Sequence, residues 1–253
     1  MSITKDEAEV LKLIAEADMY TEQAKAAKED QKIKAAEARM KAAEALKAEY
    51  YAENARIGME ATRRADLISL SQNHYHHVYE FIDGVDEDSV GMCLSQLAVW
   101  DRQDPACPMH IIMDSHGGSL IDGMHLFDQL TAYSLRPWDA SDRPKGTHPT
   151  RMTVRGYAAS MAGILLQAVD DRVIGAESSL LVHEASTWAQ GKIGEIKDQI
   201  GWLDRVSERI ADIFVARSGG KTSLDDFKAG WRRTDWWMDS DETIRRGFAD
   251  RIG

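Results

Sequence analysis

The chain has 253 residues, of which 43% are hydrophobic, and a formal net charge of -11 at pH 7. This composition allows a buried core, while the acidic balance argues against a nucleic-acid partner, because attraction to phosphate needs a basic surface. No apolar run is long enough to span a bilayer and the N-terminus lacks the order of a secretory signal, so we expect a cytoplasmic protein with no membrane partner.

The first region, residues 1–60, has the composition of one long helix. From about Thr4 to Met59 it is rich in Ala, Lys and Glu, contains no proline, and has its first glycine at Gly58. Lys47 and Asn54 interrupt a heptad seam of six apolar residues: Ile33, Ala36, Met40, Ala43, Tyr50 and Ile57. The pattern is typical either of a weak coiled coil or tether that lies on a partner, or of a solvated, partly frayed tail.

The second region, residues 61–253, alternates apolar strands with amphipathic helices and predicts an α/β domain. Strands are predicted at Val78–Ile82, Met109–Met113, Met152–Val154 and Ser179–His183. Helices are predicted at Val90–Trp100, from about Ser119 to Ala132, directly after Ser160, near Ile193–Arg217 and near Ser240–Arg246. Residues 136–150 hold three of the chain's five prolines and predict a surface loop insertion.

The cysteines and a histidine cluster do not predict a metal site. Cys93 and Cys107 lack a metal-ligand spacing, so we expect two reduced thiols in the core. His74, His76 and His77 lie close together, but adjacent histidines on a strand point to opposite faces and no acidic residue is spaced to complete a site.

Ser160 lies in the stretch GYAASMAG, residues 156–163, between a β-like run and an apolar run. One interpretation is a helix N-cap, since a serine hydroxyl satisfies a free backbone N–H at a helix start. The other is a nucleophile held at a strand-to-helix corner, with the N–H groups of the helix start ready to receive an oxyanion. The stretch by itself leaves both interpretations open.

A serine nucleophile needs a base and a carboxylate that orients the base. His183 ends an apolar strand and is suited to act as the base, and Asp235, beside two tryptophans, is a candidate carboxylate. The pair Gly117-Gly118 allows a close approach of backbone to a ligand and begins a helix whose N-terminus favours negative charge. Spacing alone does not assign these residues to roles.

Four segments resemble, in order, the caseinolytic (Clp) serine peptidases, and look closest to the Clp-related proteases of phage head maturation. They are DSHGGSLIDGMHLFDQL (residues 114–130), GYAASMAG, HEASTWAQG (183–191) and DWWMDSDETIRRGFAD (235–250). The first is similar to the family's glycine turn and following helix, and the second to its nucleophile motif. The third is similar to its histidine segment, and the fourth to its closing segment with an acidic residue and a Gly-x-x-Asp ending.

This resemblance implies a Clp/crotonase-type α/β spiral fold of stacked ββα units, preceded by the long N-terminal helix. It implies a serine endopeptidase that acts on polypeptide substrates and needs no metal or other cofactor. The implied site residues are the nucleophile Ser160, the base His183, the orienting acid Asp235, the oxyanion-hole N–H groups of Gly118 and Met161, and the substrate-binding Gly117 and Ser119.

The resemblance also implies partners. Members of the family assemble into stacked rings, commonly of seven subunits, so we expect a ring homo-oligomer, heptameric or double-ringed, with Ile193–Arg217 matching the helix that joins rings. In members that serve an unfolding ATPase, tyrosines stand at the positions of His110 and Ile112, and their absence here argues against such a partner. His116 replaces the family's proline before the paired glycines.

Three other functions are compatible with parts of the sequence. The first is an acyl-CoA enzyme of the related crotonase group, which shares the fold but typically uses glutamate acid-base groups. The second is an ATPase-dependent Clp proteolytic subunit. The third is an inactive scaffold protein of the same fold, with the N-terminal helix as its working part. The serine, histidine and aspartate set argues against the first and the third.

Overall fold

The computed structural model describes residues 5–136, 146–185 and 190–253. The chain divides into two units between Ser69 and Leu70. Most of the predicted insertion at 136–150, and residues 186–189 of the HEASTWAQG segment, lie outside the described residues.

Helix α1, Lys5–Ser71, forms the first unit up to Ser69. The predicted long helix is confirmed, and it continues past Met59 because residues 60–71 contain neither proline nor glycine. None of its described residues is buried, so α1 has no core of its own. Pairs at i,i+3 and i,i+4 such as Lys25–Glu22 and Lys34–Asp30 stabilise it by only a few tenths of a kcal/mol each, about 0.2–0.5. The coiled coil and the division at residue 60 stay predictions.

The second unit is a mixed α/β structure, as predicted. Its strands are β1 Val78–Phe81, β2 Met109–Ser115, β3 Thr150–Ala159, β4 Asp171–Ile174, β5 Ser179–Val182, β6 Trp236–Met238 and β7 Arg251–Ile252. Its helices are α2 Glu87–Gln103, α3 Leu120–Tyr133, α4 Met161–Leu165, α5 Ile193–Arg217, α6 Leu224–Trp231 and α7 Ser240–Arg246. All predicted strands and helices of this unit are present, whereas β4, α6, β6 and β7 were not predicted.

The strands form one mostly parallel sheet in the described residues, in the order β1-β2-β3-β4-β7, with β5 branching from β3 and β6 paired with β5. Two stretches of β3 pair with different strands: Arg151–Val154 pairs with β4, and Tyr157–Ala159 pairs with β5. Gly156, between the two stretches, has a φ of 90°, which a residue with a Cβ rarely adopts. Because β3 and β5 run parallel, the residues that follow both strands lie at one edge of the sheet.

The core lies between the sheet and its helices. On β2, buried Met109, Ile111 and Met113 alternate with half-buried residues, as expected for a strand with one face on the core. The two cysteines are free and buried, as predicted, and burial raises the pKa of Cys93 to about 12. Within the described part of the chain, no helix is both long and apolar enough to cross a bilayer.

An aromatic cluster attaches the last elements to the domain. Phe227 of α6 stacks on Phe214 of α5 with ring centroids 5.1 Å apart, and Phe248 packs edge-on against Phe214 at 5.0 Å. Trp236 of β6 joins the cluster, 6.1 Å from Phe227 and 5.9 Å from Phe248. Such pairs contribute about 0.5–1.5 kcal/mol each beyond their burial, so the cluster holds β6 beside β5.

Candidate active site

Ser160 occupies the corner between β3 and α4 with a φ of 55°, an uncommon conformation for a residue other than glycine. Its N–H donates to the Leu181 carbonyl of β5 at 3.0 Å, which fixes the corner to the neighbouring strand. It stands at the N-cap position of α4, but its hydroxyl makes no capping hydrogen bond. Instead Oγ lies 2.8 Å from Nε2 of His183, so the N-cap interpretation does not account for this side chain.

His183 directly follows β5, at the same sheet edge as Ser160. The imidazole is 26% exposed, and its Nε2 and Nδ1 atoms face different partners. While Nε2 approaches Ser160, Nδ1 lies 3.9 Å from Oδ1 of Asp235. The parallel pairing of Ala159 with Leu181 brings the ends of β3 and β5 together, and this pairing accounts for the meeting of residues 160 and 183.

Asp235 reaches the site through β6, which runs antiparallel to β5. Val182 pairs with Trp236, and the same register continued by one residue puts His183 opposite Asp235. The carboxylate is 68% exposed, and a separation of 3.9 Å is too long for a hydrogen bond. In this structure Asp235 therefore supplies negative charge near the imidazole and does not yet orient it through a hydrogen bond.

The glycine turn before α3 lies against the Ser160 corner. The Val85 N–H donates to the Gly117 carbonyl at 2.9 Å, and the Ser119 N–H donates to the Val85 carbonyl at 2.6 Å. These two hydrogen bonds form a parallel β-bridge between Val85 and Gly118. Because the bridge uses the carbonyl of Gly117 and the N–H of Ser119, the N–H of Gly118 points away from Val85. Gly117 has a φ of 84°, and a Cβ there would lie 2.8 Å from both the Met161 nitrogen and the Ser160 Cβ. Only glycine allows so close an approach.

Met161 begins α4, so its N–H is in the first turn, where backbone donors have no intrahelical partner. Its side chain is buried against Gly123 of α3, where an added Cβ would overlap the Met161 Cγ and lie 2.7 Å from its Sδ. A cavity of about 70 Å³ adjoins Ser160. It is lined by backbone and side-chain atoms of both polar and apolar character, from Gly118, Leu120, Ser160, Met161, Ile164, Val182, His183, Ala185 and Ile210.

Two serines that flank the glycine turn stabilise its backbone through hydrogen bonds. Ser119, predicted to bind substrate, is the N-cap of α3, and its hydroxyl accepts the Asp122 N–H at 3.3 Å. Ser115 was not singled out from the sequence, although it lies in the DSHGG segment. Its Oγ donates to the Asp83 carbonyl at 2.6 Å and accepts the Gly117 N–H at 3.2 Å. Ser115 thereby fixes the start of the turn that carries Gly118.

The other histidines singled out from the sequence have contacts of their own. His110 Nε2 is 2.9 Å from Thr153 Oγ1 on the neighbouring strand, and burial, aided by the charge of Arg151, lowers the pKa of His110. The His116 ring lies beside Gly84 across the glycine turn. His74, His76 and His77 lie in the turn before β1 rather than on a strand: His76 and His77 donate their N–H groups to Asn73 and His74. No group of three or more metal-binding side chains occurs among the described residues.

A model of the Clp protease family matches residues 77–253, which is more than half of the chain. The matched part contains all four segments on which the resemblance was based, and the mostly parallel sheet behind Ser160 agrees with the predicted Clp-type fold. The phage-type branch stays a prediction. The α/β unit, its sheet and its matched motifs together identify the chain as a member of the Clp protease family, a family of peptidases.

Proposed function

We propose that this protein is a serine endopeptidase that uses Ser160 as nucleophile, His183 as base and Asp235 as orienting acid. The observation that carries the proposal is the 2.8 Å separation of Ser160 Oγ and His183 Nε2 at a strained strand-to-helix corner. A nucleophile and its base must lie within hydrogen-bond reach, and this distance meets that requirement.

The proposed reaction follows from this geometry. His183 Nε2 takes the proton of Ser160 as Oγ attacks the peptide carbonyl, and the carbonyl oxygen becomes an oxyanion that accepts hydrogen bonds from the N–H groups of Gly118 and Met161. The C–N bond then breaks as His183 returns the proton to the leaving amine. Water, deprotonated by His183, hydrolyses the acyl-enzyme and restores Ser160. The small cavity beside Ser160 has room for only a small side chain of the substrate.

Asp235 has an orienting role in this scheme, because an imidazole held by Nδ1 presents Nε2 to the serine in the correct tautomer. The separation of 3.9 Å must shorten by about 1 Å to give a hydrogen bond. Catalytic hydrogen bonds are often long in a free enzyme and tighten when substrate binds. We therefore place this closure in the substrate complex.

We further propose that the protein works as a ring-shaped homo-oligomer. Helix α5 supports this, since Ile193 is 75% exposed and Ile200, seven residues on and therefore on the same face of the helix, is also exposed. Apolar side chains grouped on one surface favour contact with another subunit. Helix α1 then acts as a tether to a protein substrate, and the sequence resemblance to phage head-maturation proteases supports a capsid or scaffold protein as that substrate.

Labelling with a fluorophosphonate probe tests the proposal. The native chain should be labelled at Ser160 and hydrolyse short peptides, whereas Ser160→Ala should do neither and keep its oligomeric size. Ser95→Ala, at an exposed serine of α2, is the matched control and should behave as the native chain. Unchanged turnover by Ser160→Ala would refute the assignment. Turnover of an acyl-CoA thioester without peptide hydrolysis would favour a crotonase-type enzyme, and assembly without either activity would favour a scaffold.

A further inference from the structure

Glu184 connects the histidine segment to the segment that carries Asp235. It directly follows His183, and its Oε2 accepts the backbone N–H of Arg233 at 3.1 Å. Arg233 lies two residues before Asp235 in the chain. A hydrogen bond to an ionised carboxylate is about twice as strong as one between neutral groups. The hydrogen bond therefore connects the residue that follows the proposed base, His183, to the segment that precedes the proposed acid, Asp235.

The backbone at Arg233 needs such support. Its φ is 56°, a left-handed conformation that is unfavourable for a residue with a side chain. The neighbouring bond, from the Thr234 N–H to the Trp231 carbonyl at 3.3 Å, stays within the same segment and does not connect it to β5. The Glu184 carboxylate makes that connection.

The strand register shows why the connection matters for Asp235. The pairing of β5 with β6 ends at Val182 and Trp236, one position before His183 and Asp235. On the far side of these two residues, Glu184 contacts Arg233. His183 and Asp235 are thus enclosed between the last strand pair and the Glu184 hydrogen bond.

We propose that Glu184 is a positioning residue of the proposed peptidase, which holds residues 233–235 so that Asp235 faces His183. The inference rests on the proposed function, since the orientation of Asp235 matters only if His183 is the base. Glu184 acts through Asp235 and has no direct part in bond making or breaking.

Kinetics in two backgrounds test the role. Glu184→Ala and Glu184→Lys both remove the acceptor at an exposed position, whereas Glu184→Gln keeps an acceptor oxygen. In the native background the first two should lower kcat by about 10-fold to 10²-fold with little change in KM, the order expected for a catalytic group misplaced by about 1 Å. Glu184→Gln should stay within about threefold of the native kcat, by the same reasoning.

The Asp235→Asn background separates positioning from general structural damage. If Glu184 acts through Asp235, Glu184→Ala should change kcat there by less than about twofold, because coupled residues are not additive. An equal loss of kcat in both backgrounds would overturn the proposal, as would a native kcat in Glu184→Ala. Melting temperatures within a few degrees of the native chain are expected for all variants, since the side chain is exposed.

Fluorophosphonate labelling separates failure of this inference from failure of the proposed function. Absence of labelling at Ser160 in the native chain would overturn the serine peptidase assignment, and the role of Glu184 with it. Labelling of the native chain, but at an equal rate in Glu184→Ala, would overturn the role of Glu184 alone. Slower labelling of Glu184→Ala and Glu184→Lys, recovered in Glu184→Gln, would support both.

Discussion

Asp235 faces His183 across the antiparallel pair of β5 and β6, with 3.9 Å between its Oδ1 and the histidine Nδ1. The two residues lie 52 positions apart in the chain, and the register that starts at Leu180 and Met238 brings them together. The carboxylate is largely exposed, so water screens its charge until the hydrogen bond to the imidazole forms.

The first prediction concerns this pair. Asp235→Asn should lower kcat for a short peptide on the order of 10⁴-fold, because the histidine would be held in the wrong tautomer. Steady-state hydrolysis of a fluorogenic peptide measures the effect. Asp239→Asn, at the N-cap of α7, is the control and should retain the native kcat. A loss of less than about tenfold for Asp235→Asn would move the orienting role to another group.

The second prediction concerns the contact between Gly123 and Met161. Gly123→Ala should lower kcat by about 10-fold to 10²-fold with little change in KM, since its Cβ would displace the residue that supplies an oxyanion donor. Gly91→Ala, in the interior of α2 where a Cβ meets no atom within 4 Å, is the matched control. Its kcat should be native and its melting temperature equal or higher, because alanine is the better helix former. Equal kcat values in the two variants would contradict the prediction.

The third prediction concerns the Gly-x-x-Asp ending. Asp250 forms hydrogen bonds of 3.1 and 2.6 Å to Nε and Nη2 of Arg172, whose side chain is 3% exposed. Asp250→Asn should lower the free energy of unfolding by about 3 kcal/mol, because it leaves a buried arginine without its countercharge. Denaturant unfolding at pH 7 measures this change. Asp171→Asn removes a partner of two exposed arginines and should cost less than about 1 kcal/mol.

The same pair predicts a dependence of stability on pH. Burial raises the pKa of Asp250, but the hydrogen bonds and charge of Arg172 lower it more, so the net pKa lies below its ordinary value of 3.8. The ionised carboxylate therefore stabilises the fold above that ordinary value, and this contribution is lost as the pH falls through the lower folded pKa. Unfolding curves from pH 7 to pH 3 should fall less steeply for Asp250→Asn. Parallel curves for the variant and the native chain would contradict the assignment.

The fourth prediction concerns α1, which has no buried residue to stabilise it. Removal of residues 1–69 should leave hydrolysis of a short peptide within about twofold of native, because an isolated helix gains order only on a partner. Oligomer size, measured by light scattering, or cleavage of the natural protein substrate, measured on gels, should be impaired. Full retention of both would contradict the proposed tether.

Stimulation of protein cleavage by a Clp unfoldase and ATP would contradict the expectation that no such ATPase is needed.

The sequence was sufficient to predict those helices, strands and site residues whose pattern lies within a short stretch of the chain. Runs rich in helix-forming residues were predicted as helices: α1 was found, although its predicted end at Met59 lies before its observed end at Ser71, and the helices predicted near Ile193–Arg217 and Ser240–Arg246 match α5 and α7. The apolar runs of β2 and β5 were found because side chains that alternate or pack in a core leave a pattern over several positions. Ser160 and His183 were predicted as nucleophile and base from family motifs, and the position of Ser160 between a strand and a helix agreed with that prediction without deciding it.

Tertiary structure alone decided how the site is assembled. Strands β6 and β7 have three and two residues, too few to show a period, and β4 offers only two apolar residues, Val173 and Ile174; all three form because longer strands supply their hydrogen bonds. The opposition of His183 and Asp235, the bridge of Val85 to the glycine turn and the Glu184 bond to Arg233 are contacts between distant parts of the chain. These contacts could not be predicted from the order of residues, because they depend on how the strands of the whole sheet pair and on the aromatic cluster that holds β6 against the sheet.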